Sequence, residues 1–237
     1  MAKIHRFIGD FTLQRDEVLI SDPALVNQIK NVLRLERGEL VELISTGDAI
    51  VFSGQISDIK KDNVTVLVSD KSVIPEDDNQ NKLILYCAIL KKDNFELVVQ
   101  KATELGVIEI VPIITDRTVK QNLNFDRLYK IAQEASEQSG RLSIPEIKES
   151  QKLKDIFKEG IVSVDKIFFC DFGGPVFDFG DKKNLTQKTK ALFIGPEGGF
   201  TTTEREMAIG LGWEILTLSK NVLRAETAAL VGVFALV

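Results

Sequence analysis

The feature that most constrains the fold is a regular alternation that begins after Lys82. Short apolar runs such as "LILYCAIL" (Leu83–Leu90), "IEIVPII" (Ile108–Ile114), "KIFFCDF" (Lys166–Phe172), "KALFIG" (Lys190–Gly195) and "EILTLS" (Glu214–Ser219) read as strands. Between them lie segments with helical spacing, 94–107 and 124–140, and helices are expected again at 202–211 and 226–237. Near-continuous apolar strands separated by helices imply a mostly parallel sheet covered on both faces. In such sheets ligands sit outside the carboxyl ends of the strands, so the loops that follow the strands are the places to look for chemistry.

The first 70 residues read differently. "ELVELIST", "AIVFSGQISDI" and "NVTVLVSD" are β-branched runs separated by turn residues, the pattern of a small β-barrel. One helix is expected over 23–35, with Asp22 as N-cap and Gly38 beyond its end. The polar, aperiodic "IPEDDNQNK" then reads as a linker. This divides the chain into a β-rich domain over 1–72, a linker over 73–82 and an α/β domain over 83–237.

Of the 237 residues, 44% are hydrophobic and 27% charged, enough apolar content for packed cores. No run of 18 apolar residues is present, and Met1–Arg6 lacks the apolar stretch of a signal peptide. The two cysteines, Cys87 and Cys170, each sit in apolar runs and read as buried thiols, not as a disulfide or a metal site. Together these point to the cytoplasm. The net charge of −5 argues against a protein that coats nucleic acid non-specifically, while leaving room for a local basic patch.

Two strand-to-helix loops carry unusual residues. Gly195-Pro196-Glu197-Gly198-Gly199 ends a strand, and Thr201 with Glu204 forms a capping box that starts the next helix. The glycines permit close approach of backbone to a ligand. The G-x-G-x-x-G and Walker phosphate patterns are absent, and Glu197 puts negative charge where a phosphate would sit. The second loop, Ser219–Arg224, again ends a strand, and Glu226 and Thr227 stand at the following helix N-terminus. Either loop alone could be a plain capped turn; two at adjacent strand ends favour one crevice.

Gly195-Pro196-Glu197-Gly198-Gly199-Phe200 followed by Glu204, and then Val222-Leu223-Arg224-Ala225-Glu226-Thr227-Ala228, closely resemble the two signature loops of the RsmE family. These are SPOUT-class methyltransferases that act on N3 of a uridine in 16S ribosomal RNA. "HRFI" and "VLRLERGE" resemble the family's PUA-like N-terminal domain, and "QKATELGV" and "EASEQSGR" resemble its internal motifs. The likeness implies a trefoil-knotted SPOUT domain behind a small PUA-like β-barrel, a homodimer, and S-adenosylmethionine bound bent in the knotted loops. By the same resemblance, Phe169, Asp171, Gly195, Pro196, Glu197, Gly198, Gly199, Leu218, Ser219, Asn221, Val222, Leu223, Thr227 and Ala228 would hold the cofactor. Arg6, Arg34, Arg117 and Arg141 would contact RNA, and Arg224, Glu226 and Arg141 would serve the chemistry. No metal is required, because the sulfonium carries its own positive charge and departs as a neutral thioether when the methyl group is transferred. The acidic balance makes an assembled small subunit the expected target. Methylation of another RNA atom or position, and a non-catalytic RNA-binding assembly factor, stay open as alternatives.

Overall fold

A computed structural model describes residues 4–45, 49–74, 82–119, 122–178 and 188–237. The chain divides into two compact units. The first comprises Met1–Asp77 with Ser136–Ser143, and the second Asp78–Ala135 with Ile144–Val237. The units are therefore not consecutive in sequence. Most of the expected linker lies outside the described residues.

In the first unit, β1 (His5–Gly9), β2 (Leu13–Gln14), β3 (Glu17–Ile20), β4 (Leu40–Ser45), β5 (Ile50–Ile59) and β6 (Val64–Val73) form one sheet in the order β1-β4-β5-β6-β3-β2. Only β1 and β4 run parallel. No ladder joins β1 to β2 among the described residues, so the sheet is open, with two edges, where strand spacing had pointed to a closed barrel. Phe7, Val18, Leu43, Phe52 and Val64 fill its core. Asp22 does cap the helix α1 (Pro23–Asn27), its Oδ1 accepting from the Leu25 N–H at 2.8 Å. The expected helix does not run on to Leu35. A π-helical turn over Gln28–Val32 follows α1, and Arg34, at φ 55°, reverses the chain ahead of Gly38. Buried Glu137, at the far end of the helix that begins at Phe125, accepts from the Ile8 N–H at 3.0 Å and from Gln28 at 2.9 Å.

In the second unit, β7 (Lys82–Ala88), β8 (Glu109–Ile114), β9 (Glu146–Ile147), β10 (Gln151–Lys152), β11 (Lys166–Cys170), β12 (Thr189–Ile194) and β13 (Glu214–Leu216) form a wholly parallel sheet. Its order is β10-β8-β7-β12-β11-β13, with β9 also on β8. Alternate residues of each strand serve opposite cores. Leu83, Leu85 and Cys87 join α2 (Lys92–Leu105), α3 (Phe125–Ser139) and α6 (Ala225–Leu236) on one face. Tyr86, Ala88 and Phe193 join α4 (Leu153–Glu159) and α5 (Thr202–Gly210) on the other. Gly232 of α6 lets that helix close on β12: a Cβ there would lie 2.7 Å from Leu192. Cys87 and Cys170 are free thiols. Among the described residues no helix is long and apolar enough to cross a membrane.

Candidate functional site

The site is built at the carboxyl ends of three neighbouring strands of the second unit. After β12, residues 195–200 turn sharply: the Gly199 N–H donates to the Pro196 carbonyl at 2.8 Å, and Gly199 takes φ 70°, a conformation that suits glycine. A side chain at Gly195 would meet the Phe200 ring at 3.0 Å. Phe200 folds back over the loop because its ring packs on Phe169 of β11, with centroids 4.0 Å apart. The capping box then starts α5. The Thr201 hydroxyl accepts from the Glu204 N–H at 3.2 Å, and Glu204 accepts from the Thr201 N–H at 2.7 Å.

The second wall is 217–224. The Thr217 hydroxyl, 3.0 Å from the Asp171 carbonyl and 3.1 Å from that of Gly174, donates across to the segment after β11. The Asn221 N–H donates to Ser219 Oγ at 3.1 Å. Arg224 is the N-cap of α6, with extended backbone and no side-chain capping bond.

Between these walls is a crevice with an empty volume of about 630 Å³ including its solvent-open mouth. Asp171, Gly195, Pro196, Gly199, Leu218, Ser219, Asn221, Val222, Leu223 and Ala228 all line it. Asp171 is the one charged side chain in the lining among the described residues. Burial pushes its carboxyl above the ordinary range, and a hydrogen bond from the Phe172 backbone and the charges of Arg205 and Arg117 partly offset this. A mostly apolar crevice with a single carboxylate and no basic lining among the described residues suits a ligand carrying positive charge, and does not suit a phosphate.

Four of the expected cofactor residues stand elsewhere. Phe169 is fully buried, covered by Phe200. Glu197 and Gly198 face a neighbouring crevice, lined also by Leu90, Asn94 and Arg117. Thr227 is exposed on α6 and outside the lining. In exchange, Cys170, Phe172, Ile194, Phe200, Thr217 and Ala225 join it. Most are immediate chain neighbours of the expected residues. Burial, with Asp171 adding, pushes the Cys170 thiol up to about 12.

Of the residues expected to serve chemistry, Arg224 is exposed and Glu226 half-buried, both in the first turn of α6. Glu226 Oε2 is buried with no hydrogen-bond partner among the described residues. The Cys87 thiol is held far above its ordinary range by burial, with the charges of Glu197 and Glu226 adding. Arg141 belongs to the first unit, where burial lowers its guanidinium pKa from the ordinary value. Arg6 pairs with Glu42 at 2.5 Å and Arg34 is exposed, both also in the first unit. Arg117 is turned onto the glycine loop of the second unit, donating to the carbonyls of Gly198 and Phe200.

The family model described as RNA methyltransferase domain matches residues 77–237. The ribosomal RNA small subunit methyltransferase E of Rickettsia conorii is 29% identical over 230 residues, covering 96% of this chain and 92% of its own. The chain belongs to the RsmE family of RNA methyltransferases. Solved relatives have the same architecture. A ribosomal RNA small subunit methyltransferase E from Neisseria gonorrhoeae, bound to S-adenosylmethionine, superposes with a TM-score of 0.83 at 25% identity, covering 98% of this chain and 96% of that one. A methyltransferase from Legionella pneumophila, in complex with the same cofactor, gives a TM-score of 0.81 at 28% identity with the same coverage. The family match includes every residue lining the crevice.

Proposed function

We propose that this chain transfers a methyl group from S-adenosylmethionine to N3 of a uridine in 16S ribosomal RNA. The observation that carries this reading is the crevice between 195–200 and 217–228, with Asp171 the one charged side chain in its lining among the described residues, in a chain whose solved relatives bind that cofactor. The lining fits the cofactor: backbone of the glycine loop on one side, apolar Leu218, Leu223 and Ala228 on another, and a carboxylate for a cationic centre. When bound, the cofactor supplies the methyl group and its own leaving group.

The protein residues must then prepare the uracil. Its N3–H is weakly acidic, so transfer needs a proton acceptor at N3 and positive charge at O2 or O4 as the imidate forms. Glu226 is the base in this reading, because its Oε2 is buried and has no hydrogen-bond partner among the described residues. Arg224, exposed two residues earlier at the same helix start, stabilises the oxygen charge. The base must leave its stack or already be single-stranded to be reached. Arg6, Arg34 and Arg141 of the first, PUA-like unit grip RNA, chiefly through its backbone. A protein of net charge −5 works on an assembled small subunit in the cytoplasm.

The reading includes a trefoil knot and a homodimer. Insertion of β12 between β7 and β11, with α6 packed across it, supports the first. Phe234 of α6, 71% exposed, with exposed Leu97 and Val237, supports an apolar contact for the second. Nucleoside mass spectrometry of small-subunit RNA from a deletion strain tests the activity. The strain should lack one N3-methyluridine, restored by the wild-type gene and poorly by Arg224→Ala or Glu226→Gln. A missing ribose-methylated nucleoside instead would overturn N3 as the acceptor.

A further inference from the structure

The glycine loop is held from behind by the turn that follows β8. Arg117 Nη1 donates to the Gly198 carbonyl at 2.7 Å and to the Phe200 carbonyl at 3.2 Å, two acceptors on one loop. The arm of the side chain runs along the same loop: a Cβ on Gly198 would lie 3.4 Å from Arg117 Cδ. The turn is itself pinned. Glu204, 6% exposed, accepts from the Asp116 N–H at 2.9 Å through one oxygen while its other accepts from the Thr201 N–H. The Thr115 N–H donates to the Thr118 hydroxyl at 2.9 Å, and the two threonine hydroxyls are bonded at 3.0 Å. The backbone on both sides of Arg117 is thus fixed before its guanidinium reaches the loop.

We propose that Arg117 is a positioning residue for the methyl donor's loop and not a contact for RNA. The inference rests on the reading that the crevice holds S-adenosylmethionine. A loop with three glycines has many conformations to lose on binding a ligand, and ordering it in advance lowers that cost. A charged donor binds two carbonyls more firmly than a neutral one, and a guanidinium holds this geometry better than an ammonium. The positive charge also reaches Asp171 on the crevice wall, one of the influences that favour its ionised form.

The test uses the full chain as wild type, Arg117→Ala and Arg117→Lys. Calorimetry with S-adenosylmethionine gives the donor affinity, and steady-state methylation of small subunits gives separate KM values for donor and RNA. Arg117→Ala is expected to raise the donor Kd by about tenfold while the RNA KM stays within about twofold, and Arg117→Lys should recover part of the loss. An unchanged donor Kd with a raised RNA KM overturns the proposal and makes Arg117 an RNA contact. Should Arg117→Ala fail to fold, Arg117→Lys decides by the same two readings. Failure of the wild-type chain to bind the donor would instead sink the cofactor reading itself.

Discussion

The Glu197 carboxylate accepts a hydrogen bond from the Lys91 N–H at 3.2 Å, joining the glycine loop to the start of α2. Lys91 is the N-cap of that helix and has no side-chain capping bond of its own, so Glu197 supplies the acceptor from the loop after the neighbouring strand β12. The acid in the glycine loop therefore reaches away from the crevice. Glu197→Gln keeps an oxygen for the same N–H and is expected to leave the S-adenosylmethionine Kd within about twofold, whereas Glu197→Ala should lower stability by about 0.5–1.5 kcal/mol. Calorimetry and urea midpoints measure both. A tenfold weaker donor affinity in the Gln variant would return Glu197 to the ligand.

Gly195 is required by the ring above it. Phe200 cannot retreat from a new methyl group, because its ring lies against Phe169, with centroids 4.0 Å apart, and Phe169 is itself fully buried. Gly195→Ala should cost about 1–3 kcal/mol of overpacking, expressed partly as a lower Tm and partly as a weaker donor Kd, since Phe200 lines the crevice. If both are unchanged, the ring has room that this packing does not show.

Features set by local chemistry were the legible ones. The capping box of Thr201 and Glu204 needs only four residues in order, and it is present with both bonds. The apolar strands of the parallel sheet stood out because they are buried on both faces. Short or polar elements did not: β9 and β10 have two residues each, and α4 has seven. In the first unit, β1 and β3 are small strands that pair far along the chain, Val41 opposite His5 and Val64 opposite Ile20, and no local pattern announces that. The crevice itself joins the ends of β11, β12 and β13, so the family resemblance, not periodicity, brought Asp171 to notice. Phe169 falls outside the crevice lining for a reason of depth. It lies two residues before Asp171, one pleat further into the sheet, and Phe200 stacks over it.

Glu204 serves three donors with two oxygens: the N–H of Thr201, the hydroxyl of Thr201 and the N–H of Asp116. It is almost wholly buried, so its removal leaves two backbone N–H groups without partners in a place water reaches poorly. Glu204→Ala should destabilise the chain by about 2–4 kcal/mol, the loss of a cap together with an unsatisfied buried donor. Glu204→Gln keeps one acceptor oxygen and should lose less. Equal urea midpoints for wild type and Glu204→Ala would contradict this bond network.

Asp171 should give donor binding a pH dependence. Burial raises its carboxyl in the folded chain from the ordinary 3.8, so between that value and the raised one the folded chain holds a proton that the unfolded chain has lost. Folding stability from this group therefore falls as pH rises through the window. Donor affinity has the opposite sign. A cationic ligand favours the ionised carboxylate, so the S-adenosylmethionine Kd should fall as pH rises through the same window. Calorimetry from about pH 4.5 to 7.5, above the ordinary carboxylate value, measures it. Asp171→Asn should flatten the dependence and weaken binding near neutrality by about tenfold, the loss of one charge-assisted contact. It should also make the free protein slightly more stable at neutral pH, because a buried carboxylate no longer has to ionise. An Asn variant whose Kd keeps the wild-type pH dependence would show that another group titrates at the crevice.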